Sequence, residues 1–544
     1  MMSSSRRSRT CALIACSLVA LALSQSLLAS CANVRGEPTE SKRTAGQQQE
    51  EEYGRESAAG SKPHIVFVLV DDWGYSDVGF RNPAIKSPMF DELASSGVLL
   101  DRHYVYKYCS PSRASLMSGR WPHHAHQWNI VPQTVPLGLN LNFTAMPAKL
   151  KQAGYATHMV GKWHLGLKSE EYLPVSRGFD TMTGFLTGGE DHVTQRIQCG
   201  TDFWTGRAPD TRNGTYDALT YCSVLEEMFS SHSADTPLFL YLALHNVHAP
   251  FQAPQDFVDK YAANSTCKQR RMYQAMVSVA DNVTALVVQR LKEKGMWNNT
   301  LLVVSSDNGA APCAGSNYPL KGSKLTFFEG GVRASAFANG GLLPAKMSGT
   351  KVEGYIHIAD WYPTFCKLAG VDPDDSGPGR FPVDGHDVWP LLSGESTEST
   401  HDDIILGFNY SDYHPQQGAI IVGDYKLIVG AQKFPGNCDS LMHPPIDYPC
   451  SKAPEEADCD PMCLYDIRSD PRETHDLYKS QPAVVQRLLH RYMQYADEPR
   501  AMQDQGYHSR ASLPNEADVA CAYFAKHGGY WRPWHTSDSA AQLV

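Results

Sequence analysis

A cysteine, a proline and an arginine at a fixed spacing form the part of this sequence with the clearest chemical meaning. Cys109 is followed two residues later by Pro111 and four residues later by Arg113. Proline is favoured at the first position of a helix, so we expect Cys109 directly before a helix. Unpaired N–H groups there attract anions and lower the pKa of a thiol, and Arg113 adds a fixed cation. The spacing predicts an anion site centred on sulfur, although a structural half-cystine would also explain Cys109 alone.

Acidic and amide side chains occur in pairs after two apolar runs. Asp71 and Asp72 follow one run, and Asp307 and Asn308 follow another. Their oxygen atoms suit Ca²⁺ or Mg²⁺ better than zinc, which prefers His and Cys. One acidic pair could simply cap a helix, but two pairs after two strands favour a metal site.

Basic side chains occur at similar positions. Lys162 and His164 lie in a turn flanked by glycine, His248 follows a further apolar run, and Lys324 lies in a polar loop. A lone lysine is usually a solvated surface residue. Several cations near a metal and an arginine instead predict a cradle for a tetrahedral oxyanion.

Four short apolar runs must position these side chains, at residues 64–70, 155–160, 238–244 and 301–305. Continuous β-branched or aromatic runs are typical of strands buried on both faces, as in a parallel sheet covered by helices. A helical pattern at residues 272–294 lies between two of them. The fold class is therefore predicted to be α/β, with the ligand site beyond the carboxyl ends of the strands.

After about residue 401 the pattern changes. Short strand-like runs at residues 403–408, 418–422 and 425–429 are separated by turns, and a helical pattern follows near 483–496. These features predict a smaller α+β domain with an antiparallel sheet. We therefore expect a catalytic domain at residues 63–400 and a C-terminal domain at residues 401–544.

The first 62 residues have the composition of an export signal and a leader. Three arginines precede an apolar run at residues 11–29, which predicts a secretory signal peptide over residues 1–31. The same stretch also fits a lipoprotein processing site, with Cys31 lipidated. Residues 32–62 are rich in Glu, Gln, Gly and Ser and are expected to be disordered. No other run is long enough to predict a transmembrane segment.

Composition narrows the class of protein further. The 544 residues carry a net charge of −10 with no long basic run, which argues against a nucleic-acid partner. Fourteen cysteines in an exported chain imply disulfides. One cluster, whose pairing stays open, lies in a proline-rich stretch: Cys438, Cys450, Cys459 and Cys463. Six Asn-x-Ser/Thr sites favour a eukaryotic secretory protein.

Together these residues resemble the type I sulfatases, and within them the arylsulfatase B (N-acetylgalactosamine-4-sulfatase) group. The segments that carry the resemblance are 109–120 (CSPSRASLMSGR), 161–166 (GKWHLG), 70–74 (VDDWG), 306–309 (SDNG) and 329–333 (EGGVR). The resemblance covers residues 63–477. It implies an alkaline-phosphatase-like sheet between helices, a small C-terminal domain, and hydrolysis of sulfate esters on sulfated hexosamines of glycosaminoglycans or other sulfated polysaccharides. It also implies a lysosomal or extracellular location.

The resemblance further implies a modified nucleophile and a metal. Cys109 would be oxidised to Cα-formylglycine by a formylglycine-generating enzyme, and its hydrate would attack sulfur. One hydroxyl of such a geminal diol attacks and the second lets sulfate leave, whereas a plain serine would stall as a stable ester. A single Ca²⁺ would be held by five residues: Asp71, Asp72, Cys109, Asp307 and Asn308.

The same resemblance assigns roles to the basic residues. Arg113 and Lys162 would hold and polarise the hydrate. His164 would deprotonate its second hydroxyl. Lys324 and His248 would bind sulfate and assist the leaving oxygen.

Two other functions remain open at this point. A phosphonate or phosphate monoester hydrolase of the same superfamily can use the same modified cysteine, although a two-zinc phosphatase would need a Ser or Thr nucleophile and more Asp and His ligands. A secreted protein that binds sulfated glycans without turnover is the alternative outside enzymes. Activity on an aryl sulfate would separate binding from catalysis.

Overall fold

The structure is a computed structural model, and it describes residues 61–127, 129–131, 138–167, 169–261, 267–312, 314–378, 380–411, 414–432, 459–498, 521–522 and 524–532. The predicted signal peptide, Cys31, nearly all of the predicted leader, Cys438 and Cys450 lie outside these residues. Within them, no helix has both the length and the hydropathy needed to cross a membrane.

The strands are, in chain order, β1 (His64–Val70), β2 (Val98–Leu100), β3 (His103–Tyr104), β4 (Ala156–Lys162), β5 (Thr181–Phe185), β6 (Arg196–Ile197), β7 (Gly200–Thr201), β8 (Trp204–Thr205), β9 (Ala208–Pro209), β10 (Leu238–Leu244), β11 (Thr300–Ser306), β12 (Ala336–Asn339), β13 (Thr350–Val352), β14 (Ile356–His357), β15 (Asp403–Ser411), β16 (His414–Val422), β17 (Tyr425–Val429) and β18 (Met462–Asp466).

The α-helices are α1 (Pro88–Ser96), α2 (Cys109–Ser118), α3 (Met146–Gln152), α4 (Asp217–Ser231), α5 (Gln255–Val258), α6 (Lys268–Glu293), α7 (Glu329–Val332), α8 (Trp361–Ala369), α9 (Trp389–Leu392) and α10 (Pro482–Ala496).

A large mixed sheet forms the centre of the molecule. Its strand order is β13-β2-β12-β11-β1-β10-β4-β5-β8-β9. The central strands β11, β1, β10, β4 and β5 are parallel to their neighbours in this group, whereas β12 pairs antiparallel with β11. The carboxyl ends of the parallel strands therefore meet at one edge, as the sequence predicts.

Both faces of this sheet are covered, which explains why its central strands are apolar throughout. The odd-numbered β1 side chains, such as Phe67, pack into a core with α2, α3 and α8. The even-numbered ones, such as Val68, pack into a second core with α1, α4 and α6. All seven β1 residues are buried. The predicted α/β fold with an alkaline-phosphatase-like sheet between helices is confirmed.

A smaller antiparallel sheet follows, in the order β15-β16-β17-β18. Side chains such as Ile420 and Leu427 form its core with Leu488 of α10. The first three strands and the helix match the predicted runs, whereas β18 was not predicted. The predicted small α+β unit with an antiparallel sheet is therefore present after residue 401.

Residues 521–532 do not join that small sheet. The Thr201 N–H donates to the Gly529 carbonyl at 2.9 Å, and the Trp531 N–H donates to the Thr201 carbonyl at 3.0 Å. A disulfide joins Cys199 to Cys521. Trp531 is buried in the core of the large sheet. This part of the predicted 401–544 unit thus packs against the residues predicted as the catalytic domain.

Candidate active site

The strand ends bring most of the predicted site residues together. Asp71 follows β1, Lys162 is the last residue of β4, and Asp307 follows β11. Because β1 lies between β10 and β11, with β4 next to β10, these side chains share one edge of the sheet. All three are fully buried. These three side chains are therefore held by the core of the large sheet, whereas His164, His248 and Lys324 lie in loops beyond it.

Cys109 is the first residue of α2, so the helix begins two residues earlier than Pro111 predicts. Its Sγ lies 3.5 Å from Oδ1 of Asp71 and 4.0 Å from Oδ1 of Asp72. The sequence suggested that the helix end would lower the pKa of this thiol, and that prediction is wrong. Burial raises the pKa of Cys109 far above its usual range, since removing the thiolate from water outweighs nearby cations. The unmodified residue is therefore a poor nucleophile.

Arg113 lies one turn along α2 and faces the site. Its Nη2 is 2.8 Å from Oδ2 of Asp307, and its Nε is 3.0 Å from the same oxygen. It also lies 3.6 Å from Asp71 and donates to the Lys162 carbonyl at 3.1 Å. Arg113 is fully buried. This pairing fixes the guanidinium next to Cys109 and desolvates both charges.

Asp71 and Asp72 are each paired with a lysine. Nζ of Lys162 lies 2.6 Å from Oδ2 of Asp71, and Nζ of Lys324 lies 2.6 Å from Oδ1 of Asp72. Burial alone would raise the pKa of the Asp71 carboxyl, but the summed effect of the neighbouring groups Lys162, His248, Arg113 and Lys324 outweighs burial and holds that pKa well below its usual range. Three carboxylates and three fixed cations thus face one small volume.

The two predicted site histidines are neutral, and their hydrogen bonds indicate which nitrogen carries the proton. Nε2 of His164 is 3.1 Å from the Val131 carbonyl, and its buried Nδ1 has no partner among the described residues. Nδ1 of His248 is 2.6 Å from the Ala249 carbonyl, and its Nε2 lies 3.8 Å from Asp72. Burial lowers the pKa of both rings well below the usual range. A free ring nitrogen is therefore left on each to accept a proton.

Backbone strain occurs at two of these residues. Asp72 has φ of +58° and His164 has φ of +54°, a region that non-glycine residues rarely adopt. Such conformations cost about 1–3 kcal/mol and persist where the surrounding structure enforces them. The strain aims both side chains at the same edge of the sheet.

The donor set at this edge fits a hard divalent cation. Asp71, Asp72 and Asp307 offer carboxylate oxygens, and Asn308 donates to Asp72 at 2.7 Å. The Oδ1 of Asn308 is buried and accepts no hydrogen bond from any described residue. Burial and the like charge of Asp71 raise the pKa of Asp307 to about 6. A cation among these oxygens would satisfy Asn308 and relieve that repulsion.

Comparison with known proteins decides the family. The model of the sulfatase family matches residues 63–371, more than half of the chain. The chain belongs to the sulfatase family. The prediction made from the motifs is confirmed at this level, and the finer assignment to the arylsulfatase B group stays a prediction.

Several relatives extend the similarity beyond that segment. Arylsulfatase J from Mus musculus is 34% identical over 523 residues, which cover 89% of this chain and 82% of that protein. N-acetylgalactosamine-6-sulfatase from Rattus norvegicus is 31% identical over 62% of this chain and 67% of its own length. Among solved structures, Ps i-CgsB in complex with k-i-k-neocarrahexaose aligns with a TM-score of 0.67 and 26% identity, covering 80% of this chain and 93% of that one.

In this sulfatase a cavity of about 480 Å³ opens above Cys109. His164, His248 and Lys324 form its floor with Cys109, and residues 188–191 and 196–198 form one wall. Glu190 of that wall is 2% exposed, and neither carboxylate oxygen has a partner among the described residues. Burial raises its pKa well above the usual range. A neutral carboxylic acid therefore stands beside the space above the nucleophile position.

Sequence reasoning missed a buried pair behind this wall. Nδ1 of His192 lies 2.8 Å from Oδ2 of Asp217, and its Nε2 lies 3.2 Å from the His248 carbonyl. The ring of His245 stacks on His192 at 4.2 Å. These contacts fix the backbone at His248. Asp217 and His192 are not part of a recognisable sequence motif. The only signal in the sequence was the polar run that follows Gly188 and Gly189.

Proposed function

We propose that this protein hydrolyses sulfate esters. The observation that carries the proposal is the position of Cys109, at a helix start where three paired cations surround three carboxylates under an open cavity. This arrangement matches the charge of a sulfuryl group, since preorganised cations stabilise negative charge that develops on its oxygens. The membership of the chain in the sulfatase family supports the same reaction.

We further propose that residue 109 acts after conversion to Cα-formylglycine and that Ca²⁺ binds beside it. The high thiol pKa supports this, because unmodified Cys109 would stay protonated. The aldehyde hydrate supplies a hydroxyl nucleophile and a second hydroxyl that lets sulfate leave. Asp71, Asp72, Asp307 and Asn308 would hold the cation, whose chemistry is Lewis-acid stabilisation of the sulfuryl oxygens.

The basic residues would then share the remaining tasks. Arg113 and Lys162 orient residue 109, supported by their buried pairs with Asp307 and Asp71. His164 takes up a proton at Nδ1, the nitrogen left without a partner among the described residues.

Lys324 and His248 line the cavity and would bind the outer sulfate oxygens. Since the Nδ1 proton of His248 is donated to Ala249, its Nε2 must gain a proton before it can donate one. The negative charge of a bound sulfate ester favours that protonation.

We propose a sulfated hexosamine of a glycosaminoglycan or related polysaccharide as substrate, within the arylsulfatase B group, and an action in lysosomes or outside the cell. The motif resemblance supports this assignment, and the relatives described above are an arylsulfatase and an N-acetylgalactosamine-6-sulfatase, which supports a sulfated hexosamine without fixing the position of the sulfate. A formylglycine-generating enzyme would be the maturation partner.

The test is activity of the full chain made together with a formylglycine-generating enzyme. We expect turnover of 4-nitrophenyl sulfate and of at least one sulfated hexosamine disaccharide, with an aldehyde at residue 109 by peptide mass spectrometry. Faster turnover of a phosphonate monoester than of every sulfate ester would contradict the assignment.

A matched control is available. Cys109 and Cys366 are the two free cysteines of the described residues, and both are buried. Cys109→Ala should abolish turnover, whereas Cys366→Ala should leave it near the wild-type level. An active Cys109→Ala protein would remove residue 109 from the mechanism.

A further inference from the structure

A second group of metal-ligating side chains lies outside the site described above. His123 and His124 follow α2 in a tight turn, and Glu498 lies two residues beyond the end of α10. One ligand atom from each of the three lies within 4.8 Å of the other two. We propose that His123, His124 and Glu498 bind one zinc ion, or a similar transition-metal ion, that joins the turn after α2 to the end of α10. This site is independent of the sulfatase activity proposed above.

The surroundings of His124 are those of a metal-binding histidine. Its Nδ1 lies 2.8 and 2.9 Å from the two carboxylate oxygens of Asp384. Asp384 is itself fixed, because it accepts the Trp121 N–H at 2.7 Å. A carboxylate on one ring nitrogen fixes the tautomer and leaves the other nitrogen as a ligand, an arrangement common around zinc-bound histidines. The other ring nitrogen, Nε2, is hydrogen-bonded to Oε2 of Glu498, the carboxylate that would share the ion with it.

His123 supplies the independent observation that points to a ligand. It is 8% exposed, and neither ring nitrogen has a hydrogen-bond partner among the described residues. Its Nε2 faces Oε2 of Glu498 at 3.9 Å. A buried imidazole without a partner is costly unless something else satisfies it. An ion between His123, His124 and Glu498 would do so.

The types of ligand and a neighbouring cavity both suit a zinc ion at this cluster. Two imidazoles and one carboxylate are a zinc ligand set, and they leave a fourth tetrahedral position. Bond lengths of about 2.0–2.1 Å place tetrahedral ligand atoms roughly 3.3 Å apart. His123 must therefore approach Glu498 slightly, and the His124–Glu498 hydrogen bond must open. A cavity of about 850 Å³, lined by His124, Asp384 and Glu498, gives an ion a route to the site.

The experiment is equilibrium dialysis of the untagged full chain against Zn²⁺, with excess Ca²⁺ to occupy hard-oxygen sites and elemental analysis of the bound zinc. His123→Gln and Glu498→Gln remove one ligand each. His475→Gln is the matched control, because that side chain is 82% exposed and belongs to none of the groups of metal-ligating residues. We expect wild type and His475→Gln to bind one more zinc per chain than either ligand variant, whose affinity should fall by at least about tenfold.

A second readout separates metal binding from a structural role. Added Zn²⁺ should raise the unfolding temperature of wild type and of His475→Gln but not of His123→Gln or Glu498→Gln. Equal zinc content and equal zinc-induced shifts in all four proteins would overturn the proposal. So would wild-type protein that binds no zinc, since His124 would then simply be hydrogen-bonded between Asp384 and Glu498. If His123→Gln does not fold, Glu498→Gln decides alone.

Discussion

Nζ of Lys426 on the small sheet lies 2.9 Å from Oε1 of Glu329, the first residue of α7 beside the large sheet. It also lies 3.0 Å from Oε1 of Glu473, and all three side chains are fully buried. Nζ of Lys321, three residues before Lys324, contacts the Glu473 carbonyl at 3.3 Å. The small sheet thus supports the loop that carries Lys324, one of the three cations of the candidate site.

Replacing the buried Lys426 should destabilise both the fold and the candidate active site. Lys426→Met leaves buried Glu473 without its cation and leaves Glu329 with only Arg333, at 3.4 Å, and breaking such a set typically costs about 3–5 kcal/mol. Burial raises the pKa of Glu473 to about 7 even with Lys426 present. Without Lys426 the pKa of Glu473 should rise further in the folded state, so the stability of the variant should fall more steeply than that of wild type as pH rises from 5 to 8. Urea unfolding at both pH values measures this. Lys351→Met, at a half-exposed surface pair, should change little. Equal losses for the two variants would contradict a buried network.

The role of His248 can be tested by changing the leaving group. An aryl sulfate departs as a phenolate of pKa ~10 and needs little protonation, whereas a sugar hydroxyl needs a proton from an acid. General acid catalysis typically contributes about 10²–10⁴-fold. His248→Ala should therefore reduce kcat/KM for a sulfated N-acetylhexosamine far more than for 4-nitrophenyl sulfate. Equal reductions on the two substrates would show that His248 binds sulfate without donating a proton.

We expect Asp307 both to bind the cation and to pair with Arg113. Asp307→Ala leaves the Arg113 guanidinium buried without its 2.8 Å partner, so we expect loss of activity and a loss of about 3–5 kcal/mol in unfolding free energy. Added Ca²⁺ should raise the unfolding temperature of wild type, because it binds only the folded chain, but not that of the variant. Asp374→Ala, at an exposed carboxylate, is the control and should keep the calcium response. A variant that still responds to Ca²⁺ would place the ion elsewhere.

Buried neutral histidines should make the fold sensitive to acid. Burial lowers the pKa of His357 to about 3, while an unfolded histidine titrates near 6.5. As pH falls below 6.5 the unfolded chain gains a proton that the folded chain does not, so stability falls. The Ala359 N–H donates to Nδ1 of His357, and an asparagine side chain can accept the same hydrogen bond. Between pH 7 and pH 5 the unfolding free energy of wild type should therefore fall by about 2 kcal/mol more than that of His357→Asn. His475→Asn, at an exposed position, should show no such shift.

The central strands could be predicted because strands that are buried on both faces consist of continuous runs of apolar residues. Residues 64–70 and 238–244 were predicted as strands, and β1 and β10 have these bounds. The predicted strand at 155–160 was too short, because β4 continues through Gly161. At that residue φ is +107° and a Cβ would lie 1.9 Å from the Ala243 carbonyl oxygen. Glycine permits this close approach, and sequence periodicity does not show it. The β18 strand was missed because its pairing with β17 is set by distant residues.

The residues of the candidate site were selected from the sequence, and their roles stay predictions, but their contacts could not be predicted. Motif spacing selected Arg113 and the family resemblance selected Lys324, yet their partners depend on how strands and helices meet in space. The direction of the Cys109 pKa was wrong for the same reason, since the depth of burial is not visible in the local sequence. The contact between Lys426 and Glu329 joins residues 97 apart. No local pattern marks such a pair.

The contact between Thr201 and residues 529–531 has a consequence for the order in which the molecule is completed on the ribosome. Leu325 is the last of the described residues that line the cavity at Cys109, so all of this lining is translated well before Cys521. The wall at residues 196–198 lies next to Cys199, which is bonded to Cys521. The disulfide that anchors this wall can form only after about 200 further residues have been translated, which takes on the order of tens of seconds. This side of the cavity therefore reaches its final, cross-linked form only when synthesis of the chain is almost complete.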